Sequence, residues 1–248
     1  YNHRNIYLLT NYSYYNIHNS NIESYYCSLM SKIDTNHFLN ILKKFRIKKG
    51  SNIYVGVDII VIAKLLNYQS KNLYKLADLF LKLLLDTVGR SGNVVIPVFN
   101  LDCVPKKKFD RKNSQGQSGM FGNLLLKKYY KLRTRHPMYS FLVFGSKSNK
   151  YMRINNQNAT GNNSLWKYFN NDNFELITFG HHYVRSLTHV HYLENLVNVN
   201  YRFNKIFQVN YTDLNRKKFT ASYSFFARKL DLCEFSSITK NCDRIFFK

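Results

Sequence analysis

The sequence predicts a layered α/β fold, because segments with strand character alternate along the chain with segments of helical periodicity. Residues 53–60 form an apolar run typical of a strand that is buried on both faces. Residues 73–87 carry apolar side chains at helical spacing and lead to Gly89, which indicates an amphipathic helix and its end. Residues 93–99 form a second apolar run, so the order of strand, helix and strand indicates an α/β architecture.

Further elements are predicted before and after this unit. The polar triplet at residues 34–36 can cap a helix whose apolar face lies within residues 38–45. The remaining strands are predicted at residues 140–145, 174–180, 205–211 and 219–226, and a further helix at residues 187–197. A polar turn lies between the last two predicted strands.

Length and composition predict one large domain. The chain has 248 residues, of which 45% are hydrophobic, and this is enough to bury a substantial core. No Ser/Gly-rich or Pro-rich stretch separates two halves. Residues 1–29 are rich in Tyr and Asn, and Met30 opens a segment typical of a domain start. We therefore predict an N-terminal extension at residues 1–29 and one domain at residues 30–248.

Cysteine usage and hydropathy indicate an intracellular protein. The four cysteines are scattered without a CxxC pair, which predicts reduced thiols rather than a disulfide framework or a metal site. No apolar run reaches about 18 residues, so no transmembrane segment is expected. Residues 1–29 resemble neither a signal peptide nor an Arg-rich transit peptide. The cysteines are Cys27, Cys103, Cys233 and Cys242.

The charge balance favours a polyanionic partner. Lys and Arg number 37 against 14 Asp and Glu, which gives a formal net charge of +23. Nucleic acid, an anionic membrane surface and phosphorylated substrates all attract such a chain. A codon bias towards A/T would also enrich Lys, Asn, Ile, Tyr and Phe, but it does not explain why acidic residues are so few.

Six short motifs follow one another along the chain. The two most specific are RTRHPMYSFLVFG at residues 133–145 and THVHYLE at residues 188–194. Tyr201-Arg202 follows the second of them. The others are residues 35–59, VGRSGNVVIPVF at residues 88–99, Phe109-Asp110 ahead of Gly119, and GNNS at residues 161–164. Together they resemble the aminoglycoside 3-N-acetyltransferase family, and most closely its members that act on amino sugars of glycans. The resemblance implies a layered α/β/α fold with a central mixed sheet.

The resemblance also implies a chemistry, in which acetyl-CoA is the cofactor and an acetyl group passes to a primary amine without a covalent intermediate. Thr188, His191 and Glu194 are three residues apart, so they share one face of a helix. An imidazole that titrates near neutral pH can take the proton that the attacking amine must lose, and a carboxylate can fix its tautomer. By resemblance, His191 and Glu194 are therefore the catalytic residues.

The resemblance assigns five further site residues. It implies cofactor binding by His136, Ser140, Ser164 and Thr188, and substrate binding by Asp58. No metal ligand is implied. His181, His182 and His189 match no family role, and we expect them to be surface or loop residues.

Two departures from the family pattern leave a second function open. Gly56 and Val57 stand where the family usually carries a polar pair facing the cleft, and Gln115-Gly116 stands where it carries Pro-Ser. Such losses, together with the basic charge, are also consistent with a catalytically silent protein that has kept the acetyltransferase fold. That protein would be an RNA-contacting subunit of a ribonucleoprotein, such as a mitochondrial ribosome.

The two hypotheses predict different partners and compartments. An active enzyme would be cytoplasmic. Its substrate would be an amino sugar on an anionic carrier, such as a nucleotide or lipid diphosphate, because this basic chain attracts an anion better than a polycationic drug. Under the alternative, the partners are ribosomal RNA and ribosomal proteins in the mitochondrion. The RNA contacts are then expected in a basic polar loop, where side chains can reach phosphates. Those residues are Lys106, Lys107, Lys108, Arg111 and Lys112.

Overall fold

The computed structural model describes residues 7–9 and 35–232, and it describes side chains from residue 38 onward. The strands are β1 (Tyr7–Leu9), β2 (Asn52–Val57), β3 (Asn93–Pro97), β4 (Lys108–Asp110), β5 (Phe141–Gly145), β6 (Glu175–Phe179), β7 (Arg202–Thr212) and β8 (Lys218–Arg228). The α-helices are α1 (Thr35–Lys44), α2 (Ile59–Leu65), α3 (Leu73–Val88), α4 (Cys103–Lys106), α5 (Met120–Tyr129), α6 (Ser148–Arg153), α7 (Leu165–Asn171) and α8 (Val190–Leu196). Two short 3-10 helices cover Tyr130–Leu132 and Tyr183–Ser186.

The main sheet is mixed, as the resemblance implies. Its five strands run in the order β1-β6-β2-β3-β5. The pairs β1–β6, β6–β2 and β2–β3 are parallel, whereas β5 is antiparallel to β3, with Val95 opposite Val143. The carboxyl ends of β2, β3 and β6 therefore lie together at one edge of the sheet.

One face of this sheet packs against helices α1, α2, α3 and α5. Phe80 of α3 is fully buried at the centre of the layer, and its ring centroid lies 5.1 Å from that of Phe38 and 5.2 Å from that of Phe179. Helix α3 has the predicted ends, since the Asn72 side chain accepts the N–H of Lys75 and Gly89 ends the helix with a φ of 67°. A positive φ is easy for Gly, so the helix stops there.

The opposite face packs against α6, α7 and α8, which completes the predicted α/β/α layers. Tyr54 and Phe141 point to this side from β2 and β5, because successive side chains of a strand alternate between the two faces. The Trp166 ring of α7 meets Phe141 edge-on at 5.0 Å and Tyr54 at 5.6 Å. The layer is thus an aromatic cluster rather than an aliphatic one.

A second sheet of three strands, in the order β4-β7-β8, carries its own small core. Strands β7 and β8 form an antiparallel hairpin from Arg202↔Arg228 to Thr212↔Lys218, and β4 adds to β7 in parallel. Phe109 and Val209 are fully buried beneath it. The two predicted strands and the turn between them are confirmed, and the strands are longer than the predicted runs.

Two predicted element boundaries are wrong. The strand predicted at residues 53–60 stops at Val57, because the Asp58 carboxylate accepts the N–H of Ile60 at 3.0 Å and caps α2. The helix predicted at residues 187–197 begins at Val190. The predicted cap at residues 34–36 has Asp34 outside the described residues, although α1 begins at Thr35.

The N-terminal extension contributes to the main sheet. Strand β1 falls within residues 1–29 and pairs with β6 from Tyr7↔Ile177 to Leu9↔Phe179. The domain boundary after residue 29 stays a prediction.

Two further expectations can be compared with the described residues. Cys103 is buried and has a free thiol, whereas Cys27, Cys233 and Cys242 lie outside the described residues. In the part of the chain that the structure describes, no helix has the length and apolar character needed to cross a membrane.

Candidate active site

A cleft of about 540 Å³ opens at the carboxyl ends of β2, β3 and β6. Asp58 follows β2, Phe99 lies just beyond β3, and His181 follows β6, and all three line the cleft. The start of α5, at Gly119 and Met120, forms part of the opposite wall. Ligands of parallel α/β sheets bind at this edge, because loops from several strands converge there.

His191 and Glu194 meet on α8, as their spacing predicts. The Nδ1 atom of His191 lies 2.7 Å from the Glu194 carboxylate, and the two side chains are 24% and 16% exposed. The Tyr201 hydroxyl donates to the same carboxylate at 3.0 Å, and the Arg202 guanidinium lies 2.8 Å from it. Glu194 is therefore fixed from three directions.

The contacts of Glu194 determine which nitrogen of the His191 ring carries the hydrogen. Partial burial alone would raise the pKa of the Glu194 carboxyl, but the hydrogen bonds from His191 and Tyr201 and the charge of Arg202 outweigh it and lower that pKa. Glu194 is then a carboxylate at neutral pH, so Nδ1 of His191 must carry the hydrogen between them. In the neutral imidazole, Nε2 is then the nitrogen that carries the lone pair and can accept a proton.

Thr188 and Asp58 line the cleft directly. Thr188 hydrogen-bonds with the buried Tyr54 hydroxyl, whose pKa is raised well above its usual range by burial. The Thr188 carbonyl also accepts the N–H of His191 at 3.1 Å, which joins helix α8 to the cleft wall. Asp58 faces the cleft while it caps α2.

The other three predicted cofactor residues lie in the interior and not on the cleft wall. Nδ1 of the fully buried His136 accepts the N–H of Tyr139 at 3.1 Å, and burial lowers the pKa of His136 to about 4. Ser140 donates to the Val98 carbonyl at 2.9 Å. Ser164 precedes α7 and is fully buried. The cofactor role of these residues stays a prediction.

His181 was expected to be a surface or loop residue, and the structure places it, partly buried, in the turn after β6 and beside the end of β2. Its Nε2 lies 2.7 Å from the Ser186 hydroxyl, and both residues line the cleft. Burial and the nearby charge of Arg185 lower the pKa of His181. The position of His181 at the carboxyl end of a parallel strand was the signal that could have identified it.

Gly56 explains how these two side chains fit. A Cβ atom at this position would lie 2.1 Å from the Ser186 hydroxyl oxygen and 2.9 Å from Nε2 of His181. The polar groups therefore occupy the space that a side chain at position 56 would fill. At Gly56 the chain lacks the polar side chain of the family pattern, and His181 and Ser186 place polar groups there instead.

Replacing Gly56 with Ala should displace Ser186 and lower the free energy of unfolding by about 1–3 kcal/mol, the usual cost of overpacking. Urea denaturation of both proteins measures the change. The double variant Gly56→Ala with Ser186→Gly removes the closest contact, that with the Ser186 side chain, and should recover most of the loss. Equal stabilities of the parent and Gly56→Ala would contradict the contact.

The five predicted RNA contacts do not all lie in an exposed loop. Arg111 is only 7% exposed, because its Nε donates to the Arg133 carbonyl at 2.8 Å inside the domain. Lys108 begins β4, and Lys106 ends α4 and pairs with Asp102. Lys107 and Lys112 are exposed. The prediction is therefore wrong for Arg111, whose guanidinium is used to hold the fold.

The family is established by sequence. The family model described as Aminoglycoside 3-N-acetyltransferase matches residues 70–243, so this chain, with its α/β/α layers and its His191–Glu194 pair, belongs to that family. A comparison with the curated proteins gives no match.

Solved structures agree in fold. YokD from Bacillus subtilis is 17% identical with a TM-score of 0.62, covering 82% of this chain and 84% of that chain. AAC-VIa bound to sisomicin is 15% identical with a TM-score of 0.63, and the match covers 79% of this chain and 77% of AAC-VIa. AAC-IIIb in a binary complex with CoASH is 18% identical with a TM-score of 0.62, and the match covers 79% of this chain and 75% of AAC-IIIb.

Proposed function

We propose that this protein is an acetyl-CoA-dependent N-acetyltransferase that acts on the primary amine of an amino sugar. The observation that carries the proposal is the His191–Glu194 pair, with 2.7 Å between imidazole and carboxylate, on helix α8, which begins two residues after Thr188 of the cleft wall. Membership of the aminoglycoside 3-N-acetyltransferase family supports the same chemistry.

His191 acts as the general base. An ammonium group has no lone pair, so the acceptor must lose a proton before its nitrogen can attack. Nε2 of His191 takes that proton, and Glu194 stabilises the imidazolium that forms. Tyr201 and Arg202 hold Glu194 in place, so the pair is already oriented before substrate binds.

Acetyl-CoA, when bound, supplies the acetyl group as an activated thioester. The cleft fits such a group at the start of α5, where Gly119 has a φ of 110° and no side chain caps the helix. The first N–H groups of a helix have no partners within it, so they can donate to phosphate or carbonyl oxygens. Thr188 and Gln117, which also line the cleft, add hydrogen-bonding side chains.

The charges of the cleft favour an acceptor with an anionic group. Among the described residues that line it, Asp58 is the single acid and Arg185 is the single arginine or lysine. A polycation would need several carboxylates, whereas Asp58 alone can pair with one substrate ammonium. Arg185 is exposed at the cleft and can pair with a phosphate of a nucleotide or lipid carrier.

A panel of acceptors tests this proposal. Release of the CoA thiol should be at least about tenfold more efficient, in kcat/KM, with a nucleotide-linked amino sugar than with sisomicin. Arg185→Met should lower kcat/KM for the nucleotide-linked acceptor about tenfold, the effect expected from the loss of one charged hydrogen bond. The same variant should change little for the free amino sugar.

A matched variant makes the result specific. Arg153→Met removes an exposed arginine from α6, away from the cleft, and should leave both acceptors unaffected. Absence of acetyl transfer to every amine would sink the proposal. Faster transfer to sisomicin than to the anionic acceptor would sink its substrate class.

The ribonucleoprotein alternative gains nothing from the comparisons. The matched family and the solved structures are acetyltransferases by name or similar to them in fold, and none is named as a ribosomal protein. The burial of Arg111 also removes one of the five side chains on which that hypothesis depends.

A further inference from the structure

We propose that Ser186 is a nucleophile activated by His181, which gives the cleft a hydrolytic activity towards small carboxylic esters. This activity is separate from amine acetylation and uses neither His191 nor Glu194. The class of substrate is an acyl ester small enough to enter a cleft of about 540 Å³.

The first support is the geometry of the pair. The Ser186 hydroxyl oxygen lies 2.7 Å from Nε2 of His181, within the range expected for a nucleophile and its base. The backbone of Phe179 also hydrogen-bonds with the His181 ring. Because Nε2 faces Ser186, this second bond falls to Nδ1, which donates to the Phe179 carbonyl. That tautomer leaves Nε2 as the acceptor of the serine hydroxyl proton.

The second support is the protonation of His181. Burial and the charge of Arg185 lower its pKa, and Asp58 and the Phe179 backbone oppose this only in part. The imidazole is therefore neutral at neutral pH and free to accept a proton. A protonated ring in the same place would donate to Ser186 and could not activate it.

The third support is access. Ser186 and His181 both line the cleft, next to the carboxyl ends of β2 and β6. The missing side chain of Gly56 provides the space in which the two polar groups meet. Gly119 and Met120, at the start of α5, line the same cleft, so backbone N–H groups are available to a polarised carbonyl oxygen.

The reaction is balanced with ester and water alone. The Ser186 oxygen bonds to the acyl carbon as its proton passes to Nε2 of His181, and the C–O bond to the leaving alcohol breaks as His181 returns the proton to it. Water then attacks the acyl-serine, with His181 again taking and returning one proton. The products are a carboxylic acid, an alcohol and free Ser186.

Covalent labelling tests the nucleophile on the unmodified chain. A fluorophosphonate should form an O–P bond to Ser186 with loss of fluoride, and mass spectrometry of a digest should place one adduct on the peptide that contains Ser186. Labelling of another residue, or no labelling, would overturn the proposal. This measurement needs no variant, so a folding defect cannot obscure it.

Hydrolysis of p-nitrophenyl acetate provides the second measurement. Ser186→Ala and His181→Gln should each lower the rate by about 10²-fold or more, because either change removes the activated nucleophile. Ser222→Ala, at an exposed serine of β8, is the matched control and should hydrolyse the ester at the parent rate. Circular dichroism verifies that each variant is folded. An unchanged rate in folded Ser186→Ala would overturn the proposal.

The outcome is independent of the proposed acetyl transfer. Neither the fluorophosphonate nor the ester assay contains acetyl-CoA or an amine. A chain that fails to acetylate any amine can still be labelled at Ser186, and an active acetyltransferase can fail to be labelled.

Discussion

Replacing His191 with Ala is expected to lower the turnover of amine acetylation by about 10²- to 10⁴-fold near neutral pH, the range for loss of a general base. The Glu194 carboxylate, 2.7 Å from Nδ1, fixes the imidazole through that nitrogen, and Ala offers no replacement for Nε2. The measurement is the steady-state release of the CoA thiol with saturating acceptor.

The dependence on pH separates a lost base from a damaged fold. As pH rises through the pKa of the acceptor amine, a growing share of that amine is already deprotonated, so the deficit of His191→Ala should shrink. His182→Ala is the matched control, since His182 is exposed and lies outside helix α8. A constant deficit at every pH, or a normal rate at pH 7, would remove His191 from the proton transfer.

Replacing Arg133 with Met should lower the free energy of unfolding by about 3 kcal/mol or more. The buried guanidinium donates to the Val98 carbonyl and the Ser140 hydroxyl, both at 2.9 Å, and also to the Ser114 carbonyl. It also lies 4.7 Å from the Phe109 ring centroid. Each buried acceptor that loses its donor costs about 1–3 kcal/mol, and Met supplies no donor.

Urea denaturation of parent and variant measures this loss. The control is Arg216→Met, because Arg216 is an exposed arginine whose guanidinium pairs with Asp110 at 2.8 Å. An exposed ion pair contributes about 0–1 kcal/mol, so the control should unfold close to the parent midpoint. Similar losses in the two variants would show that the Arg133 contacts are not the source of stability.

The elements that local pattern controls could be predicted from the sequence. Residues 93–99 are apolar on both faces, and the strand that they contain is buried. The ends of α3 are set by Asn72 and Gly89, whose preferences act within one turn of chain. The His191–Glu194 contact also follows from helical spacing.

The side-chain contacts that the sequence could not predict are those between residues far apart along the chain. Arg111 belongs to a basic stretch, and nothing beside it indicates that its guanidinium docks on the carbonyl of Arg133. The place of His181 after a parallel strand could be predicted, but its contact with Ser186 depends on the space left by Gly56, on a strand more than 100 residues earlier. Such burial of polar groups is decided by tertiary packing, and local sequence carries no record of it.

The pairing of β1 with β6 constrains the order in which the sheet can assemble. Ile177 of β6 lies between Tyr7 on one side and Val55 on the other, so a strand from late in the chain joins two from its beginning. Contacts between such distant residues form slowly, because a long loop must close first. During synthesis, β1 and β2 leave the ribosome well before their shared neighbour, and their unpaired edges are open to other chains until β6 arrives. The nascent protein is therefore most vulnerable to misassembly before residue 179 has emerged.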